Sequence, residues 1–216
     1  MVLQFRSDAP GRHRRLGIGA CGRFALAVPS PDGRWCLGGS WPESQFGIWD
    51  ARSGEVVKRI DVDGPPKAAF NPAGTRLVVN GRHQGRIYSV PGWTCEAELP
   101  PHTAGGFGQP CFSPDGRILA VTRNGYLIQL LDATTLQELA TLELTQPLIL
   151  GQPTFSPDGT LLAAVFGVDG VVLWDLRLVR ERLAAMNLDW ALPAYPPPRP
   201  PGDDCPRIVV EPAGGP

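Results

Sequence analysis

Asp61 and Asp63 flank Val62, and on an extended strand they would point to the same side. Two carboxylates held that way could divide the roles of general acid and general base. His102 and Cys111 stand nine residues apart and would form a thiolate–imidazole pair if the fold brought them together. Gly81 with Gly85, and Gly105-Gly106 with Gly108, suggest backbone that could cradle a phosphate. None of these signals is complete. Neither Asp61/Asp63 nor Asp203-Asp204 has a histidine or a third ligand beside it. The glycines precede no Lys-Ser or Lys-Thr helix start, and no Gly-x-Ser-x-Gly elbow exists. Cys21, Cys36, Cys95, Cys111 and Cys205 contain no CxxC pair, and His13, His83 and His102 are scattered, so no metal-ligand spacing arises. The chain is expected to be no enzyme, with no catalytic, cofactor-binding or metal-binding residue and no cofactor.

The elements that would have to position any site come from a repeat. Ser30-Pro31-Asp32-Gly33, Asn71-Pro72-Ala73-Gly74, Ser113-Pro114-Asp115-Gly116 and Ser156-Pro157-Asp158-Gly159 recur at steps of 41, 42 and 43 residues. A period near 40 is that of a propeller blade. In each copy proline presets φ, the polar side chain caps its own backbone, and glycine takes the positive φ. An apolar run precedes every turn (Phe24–Val28, Ala68–Phe70, Cys111–Phe112, Thr154–Phe155) and another follows it (Trp35–Gly38, Leu77–Val79, Ile118–Val121, Leu161–Val165). Such pairs read as β-hairpins. Third runs are Phe46–Trp49, Arg86–Val90, Tyr126–Leu131 and Val171–Trp174; fourth runs are Val56–Ile60, Cys95–Leu99 and Leu139–Leu144. The spacing predicts four-stranded antiparallel meanders.

At the end of the third runs stand Trp49-Asp50, Ser89-Val90, Leu131-Asp132 and Trp174-Asp175. With the Ser-Pro-Asp-Gly hairpins, these residues resemble the WD40 repeat family over residues 20 to 176. The resemblance implies an all-β fold of WD40-type β-propeller blades, with four four-stranded antiparallel repeats. The repeats are placed at about 20–61, 62–100, 101–145 and 146–175, after an N-terminal segment 1–19. It also implies a buried tetrad of His, Asp, Ser or Thr, and Trp. Here His102 and Asp169 fall near two of its positions, and no repeat holds the full set. WD40 rings usually have more blades than four, so the chain is expected to form an open arc or partial propeller, the alternatives being a ring completed by a second copy or partner and a lone four-bladed ring.

Past Asp175, Leu176, Val179, Leu183 and Met186 fall at helical spacing, which predicts a short helix over 176–187. A proline-rich tail follows to residue 216, with Pro196-Pro197-Pro198 and Pro200-Pro201 favouring extended linker. Trp174 to Arg180, Leu188-Asp189-Trp190 and Pro193-Ala194-Tyr195-Pro196-Pro197 resemble the carboxy-terminal WD40 region of large modular bacterial proteins, some of them kinase-linked. That resemblance implies a scaffold in a signalling or stress system. The fourth repeat lacks an outer strand, and Val2–Arg6, or failing that Ile208–Val210, is expected to fill it.

Composition narrows the function further. The 216 residues carry a net charge of −1, and Arg12-His13-Arg14-Arg15, the one dense basic cluster, reads as a solvated segment, so no nucleic-acid partner is expected. No run of 18 apolar residues exists, and Arg6, Asp8 and Arg12 interrupt any leader, so no membrane association is expected. The odd cysteine count fits reduced thiols in a cytoplasmic protein. What remains is a non-catalytic protein–protein interaction scaffold, with self-association through open blade edges as a further route. The alternative is a small-ligand or enzymatic propeller using its central channel. The loops between second and third strands supply the candidate partner-binding residues: Trp41, Glu43, Arg82, His83, Arg123, Asn124 and Asp169.

Overall fold

The four Pro-x-Gly turns close by one hydrogen-bond scheme. Ser30, Ser113 and Ser156 each donate through the hydroxyl to the aspartate two residues on. The same oxygens accept the N–H of Trp35, Ile118 and Leu161 at 2.9 Å. In the second repeat Asn71 alone does both jobs, its Oδ1 accepting from Thr75 and Arg76. Each turn glycine sits at φ between +67° and +73°, the left-handed region that glycine enters without strain. The computed structural model describes residues 3–6, 13–16, 24–40, 44–103, 105–144, 149–166 and 170–195.

The chain opens with an antiparallel hairpin of β1 (Leu3–Arg6) and β2 (His13–Leu16). Four antiparallel sheets follow in sequence. The first holds β3 (Phe24–Pro29), β4 (Trp35–Ser40), β5 (Gln45–Asp50) and β6 (Val56–Asp61). The second holds β7 (Lys67–Phe70), β8 (Arg76–Asn80), β9 (Gly85–Ser89) and β10 (Cys95–Glu98). The third holds β11 (Phe107–Phe112), β12 (Ile118–Arg123), β13 (Leu127–Asp132) and β14 (Glu138–Glu143). The fourth has three strands, β15 (Leu150–Phe155), β16 (Leu161–Phe166) and β17 (Gly170–Asp175), and runs into α1 (Leu176–Ala185). This is a four-blade β-propeller arrangement of meanders, with a short C-terminal helix as expected.

One expectation fails. The Leu3–Arg6 strand pairs with His13–Leu16 (Leu3 opposite Leu16, Phe5 opposite Arg14) and not with the fourth blade. A hairpin closing a few residues away forms at lower loop entropy than a strand crossing the whole array. Residues 208–210 lie outside the described residues, and among those described the outer position beside β17 is unfilled.

Alternating side chains bind blade to blade. Leu37, Phe46 and Ile48 pack against Leu77, Val79 and Tyr88 between the first two blades. Val78 and Ile87 meet Leu119, Val121 and Leu131 between the second and third. Ile118, Ala120, Ile128 and Leu130 meet Phe155, Leu162 and Ala164 between the third and fourth. The turns repeat the pattern at one end of the sheets: Pro31 lies against Gly74, Pro72 against Gly116 and Pro114 against Gly159, each proline Cδ 3.5–3.7 Å from a Cβ built on the glycine. Gly33, at the start, has no described atom within 4 Å where its successors meet a proline.

The aspartates that end the third strands have a visible purpose. Asp50 Oδ1 accepts from the N–H groups of Arg52 and Ser53, and Asp132 Oδ1 from those of Thr134 and Thr135. Asp175 accepts from Arg177 in the same way and so N-caps α1. The same cap thus starts a tight turn in two blades and a helix in the last.

Hydrogen bonds in the last Pro-x-Gly turn have a pH consequence. The Ser156 hydroxyl and then the Thr160 N–H and hydroxyl pull the Asp158 carboxyl down to about 2 from its ordinary 3.8. The folded-state value lies below the unfolded one, so the turn's contribution is present above 3.8 and is lost as pH falls toward about 2. Asp158→Asn is expected to flatten the fall in melting temperature across that window, and an unchanged profile would contradict the turn's role.

Candidate binding cleft on the loop face

Opposite the Pro-x-Gly turns, the sheets present the loops between second and third strands and the starts of the inner strands. Three inner strands carry a polar residue four places before the turn serine or asparagine: Lys67, Gln109 and Gln152. All three line one cleft of about 430 Å³, together with Arg82, Asn124, Phe107 and Thr122. Backbone hydrogen bonds tie its rim within the third blade and to the blades on either side. Phe107 N–H donates to the Arg82 carbonyl at 2.9 Å, Asn124 N–H to Gly106 at 2.8 Å, and Leu150 N–H to Gly125 at 2.6 Å. Gly108 allows the closest approach, because a Cβ there would stand 1.9 Å from Thr122 Oγ1. That hydroxyl accepts the Gln109 N–H instead.

The expected loop residues divide. Arg82, His83 and Asn124 are exposed, and Arg82 and Asn124 border the cleft. The Arg82–His83 loop is held by Asp63, whose carboxylate accepts both backbone N–H groups at 2.8 and 2.7 Å. Arg123, expected in the loop, is instead the last residue of β12 and is 0% exposed. The strand register turns it inward, where its guanidinium donates to Gln129 Oε1 and the Pro100 carbonyl and stacks 3.9 Å from the Phe107 ring centre. Burial lowers its pKa to about 10. Trp41, Glu43 and Asp169 lie outside the described residues.

The residues first weighed for catalysis have structural partners. Asp61 accepts from the Gln45 amide at 2.6 Å, and Asp63 caps the loop described above. Cys111 lies within β11 with its thiol on the Phe112 carbonyl, and burial raises its pKa. His102 Nε2 stands 3.9 Å from Glu138. Among the described residues, no three His, Cys, Asp or Glu side chains gather as a metal site. On the turn face a second cavity of about 410 Å³ is bordered by Asp115, Asp158 and Tyr195, and both carboxylates there are engaged by their own turns.

The chain matches no protein-family model and no curated protein sequence. The fold and the cleft therefore carry the functional argument. No helix among the described residues is long and apolar enough to cross a membrane.

Sequence reading missed Lys67, Gln109 and Gln152. A signal existed: a polar side chain at the same place in three inner strands otherwise rich in apolar residues. The lysine follows Pro65-Pro66 and stands just ahead of the Ala68–Phe70 run.

Proposed function

We propose that the chain is a WD40-type repeat protein acting as a non-catalytic scaffold, which docks a protein partner in the loop-face cleft. The observation that carries this is the convergence of Lys67, Gln109 and Gln152 from three blades on one cleft, with Arg82 and Asn124 at its border. Concave sites of about 300–1,000 Å³ with a few convergent polar groups are the usual form of binding pockets. The alternative, a propeller turning over a small ligand, would use the same cleft, yet no carboxylate, imidazole or thiol lines it among the described residues. The tail's likeness to modular bacterial proteins supports a place in a cytoplasmic bacterial signalling assembly, and the free Cys36, Cys95 and Cys111 fit a reducing compartment. Selection from a random peptide display library tests the docking reading. Sequences enriched on the wild type are expected to be lost on Asn124→Trp, whose bulk narrows the cleft mouth, and on Arg82→Glu; enrichment that survives both would count against it.

A second reading rests on the end of the array. Val165, Val171 and Leu173 are 51%, 67% and 59% exposed on the far face of the fourth blade, beside the edge of β17 that no described strand fills. On the first blade the far-side Cys36 and Trp49 are 0% and 1% exposed. The free surface is therefore the fourth blade's own, which favours a two-fold pair of copies joined blade four to blade four. Light scattering is expected to give a dimer mass for the wild type and a monomer mass for Leu173→Glu/Val171→Glu. A monomeric wild type would end this reading.

A further inference from the structure

The cleft has a definite charge character. Lys67 and Arg82 line it, Gln109 and Gln152 add neutral amides, and no aspartate or glutamate lines it among the described residues. Lys67 is half-buried and its ammonium donates to the Phe107 carbonyl at 2.7 Å. An ammonium carries three protons, so that bond leaves two to offer. Burial first, and then the charge of Arg82, hold Lys67 below its ordinary pKa, with Asp63 opposing. Both Asp63 oxygens are already engaged by the Arg82 and His83 backbone. Among the described residues neither cation lies within 4.0 Å of a carboxylate oxygen. The site thus holds two cations, one of them half-buried, partly offset by one carboxylate behind the loop.

We propose that this cleft takes a carboxylate from an acidic segment of the docked partner, with Lys67 and Arg82 donating to its oxygens and the Gln109 and Gln152 amides to adjoining peptide groups. The inference rests on the docking reading above and adds the chemistry of the partner. Two cations with Asp63 nearby match a monoanion better than a phosphate dianion. The net charge of −1 argues against a nucleic acid backbone. The backbone bonds around the rim hold the chain that carries the donors before binding, which lowers the ordering cost of association.

Isothermal titration tests this with a capped penta-glutamate peptide, a capped penta-glutamine peptide and inorganic phosphate as probes. The glutamate peptide is expected to bind, to weaken as salt is raised, and to lose about tenfold in affinity on either Lys67→Met or Arg82→Ala. Arg82 is exposed, so Arg82→Ala is expected to melt with the wild type and keeps the test valid should Lys67→Met fold poorly. Equal binding of the glutamine peptide, tighter binding of phosphate, or indifference to Arg82→Ala would each overturn the proposal. Displayed peptides that need Asn124 but carry no acid would sink the carboxylate while leaving the docking site intact. Displayed peptides indifferent to Asn124 and Arg82 would sink both.

Discussion

Arg123→Ala is expected to destabilise the protein by about 3 kcal/mol, because it removes a buried cation and leaves its partners unmatched. Gln129 Oε1, which accepts from Nε and Nη2 at 2.8 and 2.6 Å, and the Pro100 carbonyl would lose their donors. The Phe107 ring would lose the guanidinium over its face. The damage would spread, because Gln129 also donates to Glu138 Oε2 at 2.6 Å and so links β13 to β14. In a domain of this size the change corresponds to a fall of roughly 6–12 °C in melting temperature. Arg123→Met separates packing from polarity. Among the described residues Arg123 Nη1 has no hydrogen-bond partner, so the charge is incompletely compensated. A methionine keeps most of the volume but leaves the same acceptors without a donor, so it is expected to cost less than alanine without being neutral. Equal losses for both would mean that the guanidinium's hydrogen bonds, and not the filled space, set the stability. Chemical denaturation measures both.

Arg180→Ala is expected to release the segment after α1. Its guanidinium meets both Asp189 oxygens at 2.9 Å and also donates to the carbonyls of Trp190, Leu192 and Pro193. It also faces the rings of Trp190 and Tyr195. Trp190 is 7% exposed and packs with Leu176 in the cluster between the third and fourth blades. Losing several charge-assisted hydrogen bonds at once is expected to cost about 2–3 kcal/mol, felt mainly by this segment. Trp190 emission should shift to the red and amides 187–195 should exchange faster, with the strands of the first two blades unaffected. Arg180→Lys is expected to behave like the alanine variant, since an ammonium cannot reproduce the planar fork. Unchanged emission in Arg180→Ala would show that apolar packing alone holds the segment.

Much of this architecture was legible in the chain because turn chemistry is local. Ser-Pro-Asp-Gly and its Asn-Pro-Ala-Gly variant specify their own hydrogen bonds, so the hairpins and their neighbouring strands could be placed from spacing. The helix was legible from its spacing; of that stripe Leu176, Val179 and Leu183 join the core, whereas Met186 is 57% exposed. What escaped depends on register and on partners distant in sequence. Arg123 reads as a loop residue because Asn124 and Gly125 follow it, and only the pairing of Arg123 with Leu127 turns it inward. The Leu3–Arg6 strand was assigned by its alternation, which says that a strand forms but not which edge it joins. The cleft was half legible: Arg82 and Asn124 came from loop position, while Lys67, Gln109 and Gln152 required the ring geometry that brings inner strands together.

On the proposed function the loop face of the propeller is the docking surface, and backbone amide shifts on titrating a display-selected peptide put that to the test. The perturbed amides are expected to cluster at Lys67, Arg82, Gly106–Gln109, Asn124-Gly125 and Gly151-Gln152, the residues that border the cleft. Perturbations confined to the Pro-x-Gly turns, or to β17 and α1, would contradict it.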